Sequence, residues 1–199
     1  LPVLEQLDET DAEYEARLDT EVTLDENSKE FVSGLIDKLM IVCQEIAGHP
    51  FYPYQVPLAR RIFESMIIND GATITALFSR QSGKTETVAD VVATAMIMFP
   101  LLAKIYPDVL WHFRDGVWVG TFAPVEYQAG IIFARIVTRL GSDTATAMLH
   151  DPEVNDRVIG KGSVVHLRNC HSRVRRITAH PRATIEGESF HIIILDEAQ

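Results

Sequence analysis

The stretch of this sequence best suited to holding a phosphate is Ser79-Arg80-Gln81-Ser82-Gly83-Lys84-Thr85. Glycine lets the backbone approach an anion closely. The lysine after it reaches the β- and γ-phosphates, and the next hydroxyl suits Mg2+. Such a loop works between a strand and a helix, where successive N–H groups and the helix N-terminus point at the ligand. Thr73–Phe78 reads as that buried strand and Thr85–Phe99 as that helix, with Val88, Val91, Val92, Ala95, Met96 and Phe99 on one stripe. Phe78 stands where the usual pattern opens with glycine. A second constellation lies about 110 residues on, where Ile192-Ile193-Ile194-Leu195 runs into Asp196-Glu197. Asp196 is placed to hold Mg2+ through water, and Glu197 to orient and deprotonate an attacking water. The bland alternative is a chance Gly-Lys-Thr at a helix start and two acids at a solvated strand end. Their order and their common setting after apolar strands favour a nucleotide site, and Glu197 favours hydrolysis over binding alone.

The elements that must position these residues are legible around them. Asn27 and Glu30 resemble a capping box ahead of a helix that Gly48 ends, carrying Phe31, Leu35, Ile36, Leu39, Met40, Cys43 and Ile46. Gln55–Asn69 reads as a second helix with Pro57 in its first turn. Val117–Phe122 reads as a strand and Glu126–Leu140 as an amphipathic helix stopped by Gly141. Val164–Leu167 and Val174–Ile177 predict a hairpin around Asn169–Ser172. Phe190–Leu195, apolar but for His191, reads as a central parallel strand covered on both faces. Strands alternating with helices predict an α/β fold with a mostly parallel sheet and flanking helices.

Charge divides the chain unevenly. Residues 1–30 hold 11 acids against Arg17 and Lys29, so 1–26 reads as an acidic arm or linker and 27–199 as the folded unit. The net charge of −10 therefore falls almost wholly on the arm and does not argue against a nucleic-acid partner. Between Arg157 and Arg182 there are seven Lys/Arg and no acid, a local positive field suited to phosphate backbones or to solvent. His166, His171 and His180 within it lack metal spacing and are expected at the surface or in packing, and core or interface packing rather than base stacking is the expected role of Trp111 and Trp118. Two distant cysteines, Cys43 and Cys170, point to a reducing compartment. No membrane is expected, because the apolar region Val88–Leu102 is interrupted by Asp90, Thr94 and Pro100.

The loop Ser79–Thr85, with arginine inside it and no leading glycine, resembles the deviant Walker A motif of tailed-phage terminase large subunits. Tyr54-Gln55 looks like that family's adenine-binding glutamine, and Ala123-Pro124 with Gln128-Ala129 resembles its second strand–helix junction. Gly187-Glu188-Ser189 leading into Ile194-Leu195-Asp196-Glu197-Ala198-Gln199 looks like its approach to Walker B. The resemblance covers about residues 50–199. It implies a P-loop NTPase fold of the ASCE/RecA-like kind, incomplete at its C-terminal end, that hydrolyses ATP with Mg2+. It also implies a DNA-packaging motor: a self-associated ring that drives double-stranded DNA into a viral procapsid. Its partners would be the portal protein and the small terminase subunit, in the host cytoplasm and transiently at the portal. The coupling motif, the remaining strands and a nuclease domain are expected outside this chain, which alone is expected to bind ATP weakly if at all and to hydrolyse it far more slowly than the full-length protein.

By the same resemblance Arg80 contacts the γ-phosphate, Gln55 and Tyr54 meet the adenine, and Gln199 either senses the γ-phosphate or faces solvent. Catalysis would fall to Glu197, Arg80 and Lys84, nucleotide binding to Ser79–Thr85, and the metal to Thr85 and Asp196. Candidates for an arginine reaching a neighbouring subunit are Arg135, Arg139, Arg173, Arg175 and Arg176. The rival readings are a DExx-box helicase and a non-hydrolysing nucleotide-binding scaffold module.

Overall fold

A computed structural model describes residues 26–79, 82–123, 126–178 and 189–195. The expected acidic arm lies outside these residues except for Glu26. So do Arg80, Gln81, Pro124, His180, Arg182, Gly187, Glu188 and Asp196–Gln199.

Helix α1 (Glu26–Ala47) and helix α2 (Val56–Ile68) follow the predicted apolar spacing. α1 already includes Glu26, so Asn27 sits within its first turn rather than capping it. Helix α3 (Lys84–Ile105) is longer than the sequence suggested and passes through Pro100. Proline lacks the N–H that would bond the carbonyl four residues back. Here that carbonyl, Met96 O, accepts from Ser172 Oγ at 2.7 Å, so the gap in the ladder is filled from another element. A short turn α4 (Pro107–Leu110) and a 3-10 turn (Trp111–Phe113) lead into strand β1 (Trp118–Ala123). Helix α5 (Glu126–Leu140) keeps its predicted bounds, and helix α6 (Asp143–His150) is capped by Ser142 Oγ accepting from Ala145 N at 3.2 Å.

Strands β2 (Val158–Lys161), β3 (Val164–Leu167) and β4 (Arg173–Thr178) form an antiparallel run that includes the predicted hairpin. Strand β5 (Ile192–Leu195) completes a five-stranded sheet of order β2-β3-β4-β1-β5, in which β1 is parallel to both β4 and β5. The fold is thus mixed α/β with flanking helices, part parallel and part antiparallel. Asp156 anchors the hairpin base: its carboxylate accepts from the backbone N–H of Arg157, Asn169 and Cys170. Burial opposes its ionisation, but these donors outweigh burial and hold its carboxyl below the usual carboxylate range.

Three further expectations are corrected. Thr73–Phe78 is irregular rather than a buried strand, and Leu77 is 93% exposed. Its β-forming residues find no ladder partner among the described residues, and strand propensity without one does not make a strand. β5 is an edge strand among the described residues, with Ile193 and Leu195 exposed and the alternate positions half-buried. α3 is long and apolar enough to cross a bilayer by length and composition, because Pro100 does not end it. Its apolar surface is instead taken up by protein: Val91, Val92, Ala95, Met96 and Phe99 are fully buried at the centre of the core.

Candidate functional site

The described part of the 79–85 loop turns on Gly83, the N-cap of α3, at φ +76° in the left-handed region. Ser82 Oγ donates to Ser79 O at 2.7 Å, folding the loop back on itself. Thr87 closes the first helical turn, its N and Oγ1 both donating to Gly83 O, at 2.9 and 3.0 Å. Lys84 and Thr85 therefore open a long, buried helix, where unsatisfied N–H groups and the helix dipole favour an anion.

α2 holds this turn from the side. Gln55 is buried at the start of α2 and uses its whole amide locally. Its Oε1 accepts from Tyr52 N at 2.9 Å, while Nε2 lies 3.5 Å from Ser82 O and 3.4 Å from Gly83 O. Tyr54 Oη donates to Ser82 O at 3.1 Å. The residues expected to meet an adenine thus grip the loop carbonyls. The Tyr52 and Tyr54 rings stack at 5.6 Å, nearly parallel, and Phe78 packs on Tyr54 at 6.0 Å. The aromatic that replaces the motif's leading glycine is a third member of this group.

Gly83 is constrained twice, since a Cβ there would approach Gln55 Nε2 to 2.6 Å. Gly83→Ala is expected to cost about 1–3 kcal/mol from the left-handed backbone alone, with the Gln55 contact added. Thermal denaturation should show this loss, and pairing the change with Gln55→Ala should recover the steric part only.

A groove of about 250 Å3 lies between the start of α3 and the segment His191–Leu195. Lys84, Thr85, Val88 and Val92 of α3 line it, and so do His191–Leu195, which end beside Asp196 and Glu197 in sequence. Ala72, Ile74 and Ala76 contribute alternate residues from the segment that precedes the loop. The catalytic and metal candidates Arg80, Glu197 and Asp196, with Gln81 and Gln199, lie outside the described residues. Among the described residues there is no group of three or more His, Cys, Asp or Glu placed to hold a metal.

The arginine candidates separate by their partners. Arg135 and Arg139 are engaged within the chain, with Glu86 and with Glu86 and Asp90. The guanidinium of Arg173 lies 4.1 Å over the Trp118 ring, and that of Arg176 lies 6.0 Å from the Phe133 ring. Sequence reasoning missed the acidic partners on α3, because Arg139 lies 49 residues from Asp90 and 53 from Glu86 and only the packing of two helices brings them together. Burial chiefly pushes the Cys43 thiol up to about 12 and raises that of Cys170 as well, which disfavours the thiolate form of both. Trp111 is exposed rather than packed in the core. No protein-family model matches the chain, and no curated protein or solved structure was found to be similar to it.

Proposed function

We propose that this chain carries a Mg2+-dependent ATP site and belongs to a motor that drives double-stranded DNA into a viral procapsid. One observation carries the nucleotide reading. A glycine-capped Lys84-Thr85 helix start and the strand leading to Asp196-Glu197 line one groove, although the sequence separates them by about 110 residues. In this reading the N-terminus of α3 and Lys84 hold the β- and γ-phosphates, Thr85 and Asp196 hold Mg2+, and Glu197 prepares the attacking water. Arg80 meets the γ-phosphate, where charge develops in the transition state. The grip of Gln55 and Tyr54 on Ser82 and Gly83 would couple the base end of a nucleotide to the loop that holds its phosphates.

The motor assignment rests on the terminase-like loop and its flanking motifs. Its further elements are a P-loop NTPase fold of the ASCE/RecA-like kind, ring assembly, a portal protein and a small terminase subunit as partners. The arginines of β4 and the flanking basic residues would run along DNA phosphates without reading sequence.

The nucleotide reading is tested on Lys84→Ala with a fluorescent ATP analogue and with thermal denaturation. The variant is expected to fold like its parent and to lose nucleotide binding, because this side chain serves phosphate rather than the core. Unchanged affinity would remove the assignment. DNA-stimulated ATPase and packaging into procapsids by the protein carrying this chain would test the motor, and strand separation in place of packaging would favour the helicase.

A further inference from the structure

Four charged side chains form a ladder across the contact between α3 and α5. Glu86 and Asp90 lie one turn apart on α3, and Arg135 and Arg139 lie one turn apart on α5. Arg135 pairs with Glu86. Arg139 bridges both acids, from Nη2 to Glu86 Oε2 at 3.0 Å and from Nε to Asp90 Oδ1. Asp90 is fully buried and its second oxygen has His49 Nε2 at 3.9 Å, whereas Glu86 and Arg135 are at the partly exposed end of the ladder.

The position of Glu86 gives this ladder a consequence beyond packing. It follows Thr85 directly, in the first turn of α3. A carboxylate there is stabilised by the same helix field that attracts a phosphate, so an uncompensated Glu86 would repel an anion bound at Lys84-Thr85. Two acids meet two arginines, and the charge of the ladder sums to zero.

We infer that Arg135 and Arg139 are positioning residues for the phosphate site: they neutralise Glu86, so that the first turn of α3 does not oppose the nucleotide phosphates. This rests on the reading of Ser79–Thr85 as that site. Arg139 holds the buried end through Asp90. Arg135 supplies compensation at the exposed end, where it can be changed without stranding a buried charge.

The test is the dissociation constant of Mg-ATP, titrated calorimetrically for the parent, Arg135→Gln, Glu86→Gln and the double variant, at low and high salt. Arg135→Gln should weaken binding about three- to tenfold at low salt and less at high salt. Glu86→Gln should bind at least as well as the parent, and the double variant should return to within about twofold of it. Arg135→Lys, which keeps the charge, should keep the affinity. A ladder that only holds two helices together predicts something else: lower melting temperatures with unchanged Mg-ATP affinity, or Glu86→Gln weakening binding as Arg135→Gln does. Either result overturns the inference. A parent that binds no nucleotide removes the phosphate-site reading and the inference with it. A parent that binds, beside an Arg135→Gln that binds equally, removes the inference alone.

Discussion

Replacing Glu197 by glutamine is expected to lower ATP turnover by ~10²–10⁴-fold while nucleotide still binds. The substitution keeps the shape of the side chain and removes only its ability to accept a proton. Binding in the proposed site depends on other groups: the helix start at Gly83, Lys84, and the metal held at Thr85 and Asp196. Glu197 contributes when water attacks, so its loss falls on the transition state rather than on the bound nucleotide. Glu197→Gln and Lys84→Ala should therefore separate cleanly. The first should retain Mg-ATP in an equilibrium titration and turn over slowly, and the second should fail at binding. Turnover should be followed over a range of protein concentrations, since a site completed by a neighbour shows activity rising faster than linearly. Equal loss of binding in both variants would show that Glu197 is not the base.

The four long helices α1, α2, α3 and α5 were legible in the sequence because each carries its own evidence, whereas the short α4 and α6 went unread. α5 reads from Ala129, Ile132, Ile136 and Leu140, all of them buried, with Gly141 as the stop. The hairpin β3–β4 reads from two short β-forming runs around a polar turn. What escaped was whatever depends on a partner. Thr73–Phe78 has the composition of a strand, but a strand exists only when another backbone pairs with it, and propensity cannot report that. The true end of α3 escaped for a related reason. Pro100 signals a break, and only the fold reveals that Ser172, 72 residues later, satisfies the carbonyl that proline leaves open. At the candidate site, Gly83, Lys84 and Thr85 could be placed from local pattern. The engagement of Gln55 with the loop, and the pairing of Arg135 and Arg139 with Glu86 and Asp90, are long-range contacts with no local signature.

Arg139→Met is expected to be the most destabilising of the changes considered, by about 3–5 kcal/mol near neutral pH. The loss comes from Asp90. This carboxylate is fully buried on α3, one of its oxygens accepts from Arg139, and the other has no hydrogen-bond partner. Burial raises its pKa above the ordinary carboxylate value, while the hydrogen bond and charge of Arg139, then His49, pull it back. A folded-state pKa above the unfolded one means that the folded state binds the proton more tightly. Stability from such a group is fully present below the unfolded pKa of about 3.9 and is lost as pH rises through the folded value. Methionine fills much of the volume of arginine but supplies neither charge nor donor, so the folded pKa of Asp90 moves further up and the pH window of loss widens. The melting temperatures of parent and variant should therefore lie far apart near neutral pH and converge as pH falls toward 4. Asp90→Asn in the Arg139→Met background should restore much of the loss at neutral pH, because it removes the stranded charge and keeps a polar group of the same shape. A gap between parent and variant that stayed constant with pH would assign the loss to packing of the arginine stem, and Asp90 would then be no part of it.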